Sequence, residues 1–174
     1  FIRRIDKFVT SKGKKLLGWD EILEGGLSPN AMVMSWRGTK GGVEAAKQNH
    51  DVVMSPNSYF YLDYYQADPK TEPIAIGGNL PLSKCYSFEP NLPELSAEEA
   101  KHVVGIQANV WTEYISNIHY AEYMTYPRAL ALSEVSWSTK ESKNYSDFKK
   151  RLTGHLPAMD AMKINYSKAF LSQP

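Results

Sequence analysis

The chain has 174 residues, 43% of them hydrophobic, enough for one globular core and too few for two comfortable domains, so a single compact unit is expected. Twenty basic residues face nineteen acidic ones, and a formal net charge of +1 supplies no broad field to attract nucleic acid or an anionic membrane. Cys85 is the sole cysteine, which excludes an intramolecular disulfide framework, and no apolar run reaches the roughly 20 residues of a membrane span.

The chain opens on a helix-like stripe, Ile2, Ile5, Phe8 and Val9 among charged residues, with no capping residue ahead of it. That points to a natural protein beginning further upstream. Four short apolar runs follow, at residues 16–19, 31–36, 51–55 and 103–111. None alternates polar with apolar, so all four read as buried parallel strands. Residues 39–49 and 97–101 are the crossover helices, the second capped by Ser96. Residues 66–93 hold five prolines together with Gly77 and Gly78 and read as a long functional loop. Residues 120–137 are an apolar helix that Pro127 restarts or kinks, and residues 145–162 form a terminal helix packed outside the sheet.

Four strand-helix units amount to half of a closed (β/α)8 barrel, which needs about 250 residues. The expected division is a partial barrel over 1–140 and a helical segment over 141–174. A small doubly wound sheet is the alternative, although Arg37-Gly38-Thr39-Lys40-Gly41-Gly42 matches neither phosphate-binding glycine pattern.

Reactive groups of such barrels collect at the carboxyl ends of the strands. Here those ends read as Trp19-Asp20-Glu21, Trp36-Arg37, residues 59–63 and Trp111-Thr112-Glu113. Flat rings suit the apolar face of a pyranose, and carboxylates suit its hydroxyl rim, so Trp19, Trp36 and Trp111 are candidates for a sugar box. Each taken singly reads as an ordinary core tryptophan, but an aromatic recurring at successive strand ends is harder to dismiss. Glu113, two residues after Trp111, would point the same way on an extended backbone and accept from hydroxyls, unless it is a solvated loop carboxylate or an arginine partner. Tyr61 and Asp63 repeat that relation, whereas Asp20 and Glu21 are adjacent and diverge. The four histidines lack metal-ligand spacing, no nucleophile elbow is present, and neither a metal nor a cofactor is expected.

The segments Gly18-Trp19-Asp20-Glu21-Ile22, Met34-Ser35-Trp36-Arg37-Gly38, Tyr61-Leu62-Asp63, Gln107-Ala108-Asn109-Val110-Trp111-Thr112-Glu113, Tyr126-Pro127-Arg128 and Glu134-Val135-Ser136-Trp137 occur in that order. Together they resemble the family 20 glycoside hydrolases, the β-N-acetylhexosaminidases and chitobiases. The resemblance implies retaining hydrolysis in which the substrate's own acetamide oxygen attacks the anomeric carbon. It makes Tyr61 the catalytic candidate, donating to that oxygen. Trp19, Trp36 and Trp111 would line the acetamide pocket and the sugar face, Asp63 would contact ring hydroxyls or the tyrosine, and Glu113 would bind the distal hydroxyls. The family's catalytic Asp-Glu pair falls before Phe1 in this pattern, and Asp20-Glu21 is not assigned its role. Residues 66–93 lack the tryptophan that the family often places on the leaving-group side.

The implied partner is an amino-sugar glycan in a periplasmic, secreted or lysosome-like setting. The open edges of a half barrel add either a second copy of the chain or a separate N-terminal half. The competing function is a non-catalytic carbohydrate-binding module.

Overall fold

The computed structural model describes residues 1–173; Pro174, the last residue of the expected C-terminal segment, lies outside them. Where the composition predicts one compact unit, the chain forms two, residues 1–57 with 90–107, and residues 58–89 with 108–173. The long segment after the third strand does not merely loop out. Together with everything that follows the fourth strand it builds a core of its own.

The first unit is a four-stranded parallel sheet in sequence order, β1 (Leu17–Trp19), β2 (Met32–Ser35), β3 (Val52–Met54) and β4 (Val103–Ile106). The register pairs Gly18 with Val33, Met34 with Val53, and Met54 with Ile106, with one irregularity between Val52 and Val53. β4 is shorter than its apolar run because the main chain leaves the ladder after Ile106. Helix α1 (Ile2–Ser11) precedes β1, and β2 passes to β3 through α2 (Lys40–Lys47).

Ser35 closes that crossover, its buried hydroxyl accepting from Gly42 N at 2.8 Å and donating to Gly38 O at 2.8 Å. Gly42 has no room for a side chain, since a Cβ there would stand 2.5 Å from Met54 Sδ. The helix therefore lies directly on Val52 and Met54, both fully buried. α2 ends two residues before the predicted Asn49, which takes the left-handed conformation (φ 62°) that commonly stops a helix. Ahead of β4, Ser96 caps α5 (Ala97–Ala100) through a capping box, Glu99 N donating to Ser96 Oγ and Ser96 N to Glu99 Oε2.

The second unit is mainly helical. From α3 (Asn57–Phe60), at the boundary between the units, the chain enters the predicted loop, which contains the unpredicted helix α4 (Leu82–Tyr86). Then follow α6 (Ile118–Thr125), α7 (Arg128–Trp137) and α8 (Tyr145–Ala161). Pro127 does separate two helices, standing as the N-cap of α7. α8 packs by stacking Phe148 on Tyr86 at 4.7 Å between ring centroids and by a bidentate Arg151–Glu134 pair at 2.7 and 2.8 Å, with Tyr86 Oη also donating to Glu134. Phe60, Leu62, Leu80, Cys85, Met124, Val135 and Met159 form the buried centre, and burial pushes the Cys85 thiol up to about 12, which makes it inert.

The loop is tied down as well. Gln66 Nε2 donates to Tyr123 O at 2.8 Å, Tyr123 Oη to Glu72 at 3.0 Å, and Leu80 N to Tyr65 O at 2.7 Å. Gly78 (φ 67°) sits where a Cβ would stand 2.3 Å from the Tyr64 ring, so both its conformation and the available space demand glycine.

Candidate functional site

Two clusters of the singled-out residues form, one within each unit. In the first, β1 and β2 are neighbours in register, and the chain leaving each strand turns back over its end. Trp19 and Trp36 meet edge to face, with centroids 6.4 Å apart and planes at 85°. Asp20 opens a 3-10 helix at residues 20–25, and its carboxylate is only 2% exposed. Its Oδ2 accepts from Trp36 N and Arg37 N, both at 3.1 Å, while Oδ1 accepts from Arg37 Nε at 2.5 Å.

Asp20 is thus a clamp that sets the direction of the backbone after β2. Gly41 accommodates it, because a Cβ there would stand 2.8 Å from Asp20 Cβ. Glu21, exposed, turns the other way and accepts from Trp36 Nε1 at 3.0 and 3.1 Å, so the adjacent carboxylates do diverge. Arg37 also reaches Glu24 at 3.3 Å, and its hydrogen bond to Asp20 raises the guanidinium above its ordinary value. Sequence reasoning assigned no task to Glu21. Its contact with Trp36 spans fifteen positions, and no local spacing signals it.

The second cluster corrects an expectation. Residues 59–63 are not the end of the third strand, and residues 111–113 are not the end of the fourth; the ladder stops at Met54 and Ile106. Beyond it the two chain segments meet once more. Tyr61 and Asn109 form an isolated parallel bridge, in which Leu62 N donates to Asn109 O at 2.8 Å and Asn109 N donates to Phe60 O at 2.9 Å. The bridge brings the Tyr61 ring, 8% exposed, to 6.2 Å from Trp111 and 5.8 Å from Tyr64.

Residues 61–64 then form a turn, with Tyr64 N donating to Tyr61 O at 3.2 Å. The extended i, i+2 relation predicted for Tyr61 and Asp63 is therefore absent, since alternation of side chains requires strand geometry. Glu113 lies in a bend and is exposed.

Asp63 is 5% exposed, accepts hydrogen bonds from its own and the Trp111 backbone N–H, and keeps Oδ1 buried without a protein donor among the described residues. Burial pushes this carboxyl up from its ordinary value, the charge of Glu113 adds to the rise, and Arg128 opposes it. A carboxyl whose folded value is raised opposes folding as it ionises. That penalty is absent below about 3.8, its ordinary value, grows as pH rises through it, and is complete above the raised value. Asp63→Asn, which cannot ionise, is therefore expected to gain stability relative to the natural protein between about pH 3 and about pH 7. Denaturant unfolding at both pH values measures this, and an unchanged difference would refute it.

The turn is held from behind by Arg128, fully buried at the start of α7 and not assigned a role by sequence reasoning. The available signals were its place in the Tyr126-Pro127-Arg128 segment and a charge immediately ahead of the apolar run 129–132. Among the described residues there is no group of three or more His, Cys, Asp or Glu able to hold a metal ion, and no helix long and apolar enough to cross a membrane.

Residues 1–140 match the family model described as glycosyl hydrolase family 20, catalytic domain. Among curated proteins, a β-hexosaminidase of Porphyromonas gingivalis is 47% identical over 175 residues, covering 100% of this chain and 22% of that protein. A β-hexosaminidase of Vibrio furnissii is 33% identical, covering 80% and 23%. The chain thus spans less than a quarter of the length of these relatives. Among solved structures, the family 20 exo-β-N-acetylglucosaminidase of Vibrio harveyi in complex with N-acetylglucosamine superposes with a TM-score of 0.84 at 34% identity, covering 95% of this chain and 26% of that one. The family 20 β-N-acetylhexosaminidase of Streptomyces coelicolor does so with 0.86 at 27%, covering 97% and 35%. The four parallel strands with their helices are part of the barrel architecture of those enzymes, and the chain belongs to glycosyl hydrolase family 20.

Proposed function

We propose that the full-length protein containing this chain is a β-N-acetylhexosaminidase that removes terminal non-reducing N-acetylhexosamine by substrate-assisted, retaining hydrolysis. In this reading residues 1–140 supply the sugar-holding wall of a catalytic barrel and residues 141–174 a helical extension of it. The observation that carries the proposal is the Tyr61 cluster. A nearly buried phenol lies against the half-exposed ring of Trp111, in the same turn as a buried carboxylate that has an oxygen to spare.

A phenol so placed donates its proton to the acetamide carbonyl oxygen of a bound sugar. The bond holds that oxygen for attack on the anomeric carbon and stabilises the oxazolinium-like intermediate once the glycosidic bond has broken. Trp111 offers the sugar a flat apolar face, Asp63 accepts from a ring hydroxyl, and Glu113 accepts from the distal hydroxyls. Within the first unit Trp19 and Trp36 are the proposed substrate-binding rings, with Glu21 fixing the Trp36 indole. Asp20 is already engaged by Trp36 and Arg37, which supports assigning the acid and base to a carboxyl outside these 174 residues.

Release of the chromophore from a chromogenic N-acetylglucosaminide tests the proposal. Hydrolysis by the full-length protein and none by residues 1–174 alone is the expected pair of results. Binding of the sugar by the full-length protein without hydrolysis would replace it with a carbohydrate-binding module, and turnover by the isolated chain would show that the acid residue lies within it.

A further inference from the structure

Arg128 is the largest fully buried side chain among the described residues, and it forms no ion pair there. Its two Nη atoms are bound by main chain instead, while Nε is buried without a partner among the described residues. Nη2 donates to Leu62 O at 2.6 Å and Met124 O at 2.5 Å, and Nη1 to Tyr64 O at 3.0 Å and Leu80 O at 3.1 Å. Burying a cation with only neutral acceptors is unfavourable, and desolvation pulls its pKa down to about 10. An apolar side chain would avoid that cost, but it could not bind four carbonyls.

Those carbonyls come from three separate segments, the turn at residues 61–64, the loop at residue 80 and the end of α6. Two of them, Leu62 O and Tyr64 O, flank Asp63, and Tyr64 N closes the turn onto Tyr61 O. The planar fork therefore grips both arms of the short turn that carries the phenol and the buried carboxylate. We infer that Arg128 is a positioning residue for the hydrolysis proposed above: it touches no substrate and acts by fixing the turn that aims Tyr61 and Asp63. A lysine has the same charge but presents it at one point, and cannot span acceptors that a rigid fork reaches from two nitrogens.

The inference rests on the proposed role of Tyr61, and the test separates the two. In the full-length protein, kcat and KM for a chromogenic N-acetylglucosaminide are measured for Arg128→Lys, Arg128→Gln, Tyr61→Phe and the double variant Tyr61→Phe with Arg128→Lys. Arg128→Lys is expected to keep the native circular dichroism and to lose about tenfold to a hundredfold in kcat, with a smaller change in KM, because misplacement by about 1 Å is enough for such a loss. If Arg128 acts through the turn, the double variant loses clearly less than the product of the two single losses, since the phenol it would have aimed is already gone and only its effect through Asp63 remains.

Losses that multiply in the double variant would make Arg128 an independent structural residue and overturn the inference. So would an Arg128→Lys enzyme with natural kcat, or failure of both Arg128 variants to fold. A Tyr61→Phe enzyme with undiminished kcat would instead remove the functional proposal itself, and this inference with it.

Discussion

Replacing Tyr61 by phenylalanine in the full-length protein is expected to lower kcat by about 10²- to 10³-fold, the usual consequence of deleting one preorganised donor to a developing charge. The substitution removes a single oxygen. The ring contacts with Trp111 and Tyr64, at 6.2 and 5.8 Å, remain available to phenylalanine, so the fold and the apolar part of sugar binding are preserved. KM is therefore expected to stay within about threefold, the signature of an interaction stronger in the transition state than in the bound ground state. Steady-state kinetics on a chromogenic N-acetylglucosaminide decide this. A variant that lost affinity in proportion, with kcat intact, would make Tyr61 a binding residue only.

The second large effect is on stability. Asp20→Ala is expected to cost about 3 kcal/mol, because a buried carboxylate holding three donors cannot be removed without stranding them. Arg37 is half exposed and can turn to water, so its share of the loss is small. The backbone N–H groups of Trp36 and Arg37 cannot turn away, since the chain leaving β2 fixes their direction, and each stranded donor costs about 1–3 kcal/mol. Asp20→Asn retains one acceptor oxygen and should recover part of the loss. Glu21→Gln, at an exposed carboxylate, should cost less than about 1 kcal/mol while loosening the Trp36 indole. Shifts in the denaturant midpoint rank the three, and a loss from Asp20→Ala no larger than that from Glu21→Gln would refute the clamp.

The two effects separate the work of the two clusters. Around Asp20 the structure spends polar contacts on holding a strand exit and its tryptophan in place. Around Tyr61 it leaves an oxygen of Asp63 without a protein donor and accepts the cost of burying Asp63 and Arg128. Local satisfaction is incomplete in the second cluster, as expected where a protein prepares for a ligand's hydroxyls.

The four parallel strands could be read from their unbroken apolar runs, but only β2 and β3 are buried as that pattern implies; β1 and β4, at the edges of the four-stranded sheet, stay partly exposed. The helix cap at Ser96 and the helix restart at Pro127 were equally legible, since each is local chemistry confined to a few residues. The ordered segments from Gly18 to Trp137 carried the family. Tertiary structure alone decided the rest. That Tyr61 lies on a turn after a one-residue bridge, and not on a strand tip, depends on Asn109, 48 positions away. Periodicity reports burial along a segment and carries no information about the partner, so neither the Glu21–Trp36 contact nor the four carbonyls gathered by Arg128, up to 66 residues distant, could be inferred from spacing. The residue types and the chain order of the site were sequence properties; the placement of each group belongs to backbone hydrogen bonds that form only when distant segments meet.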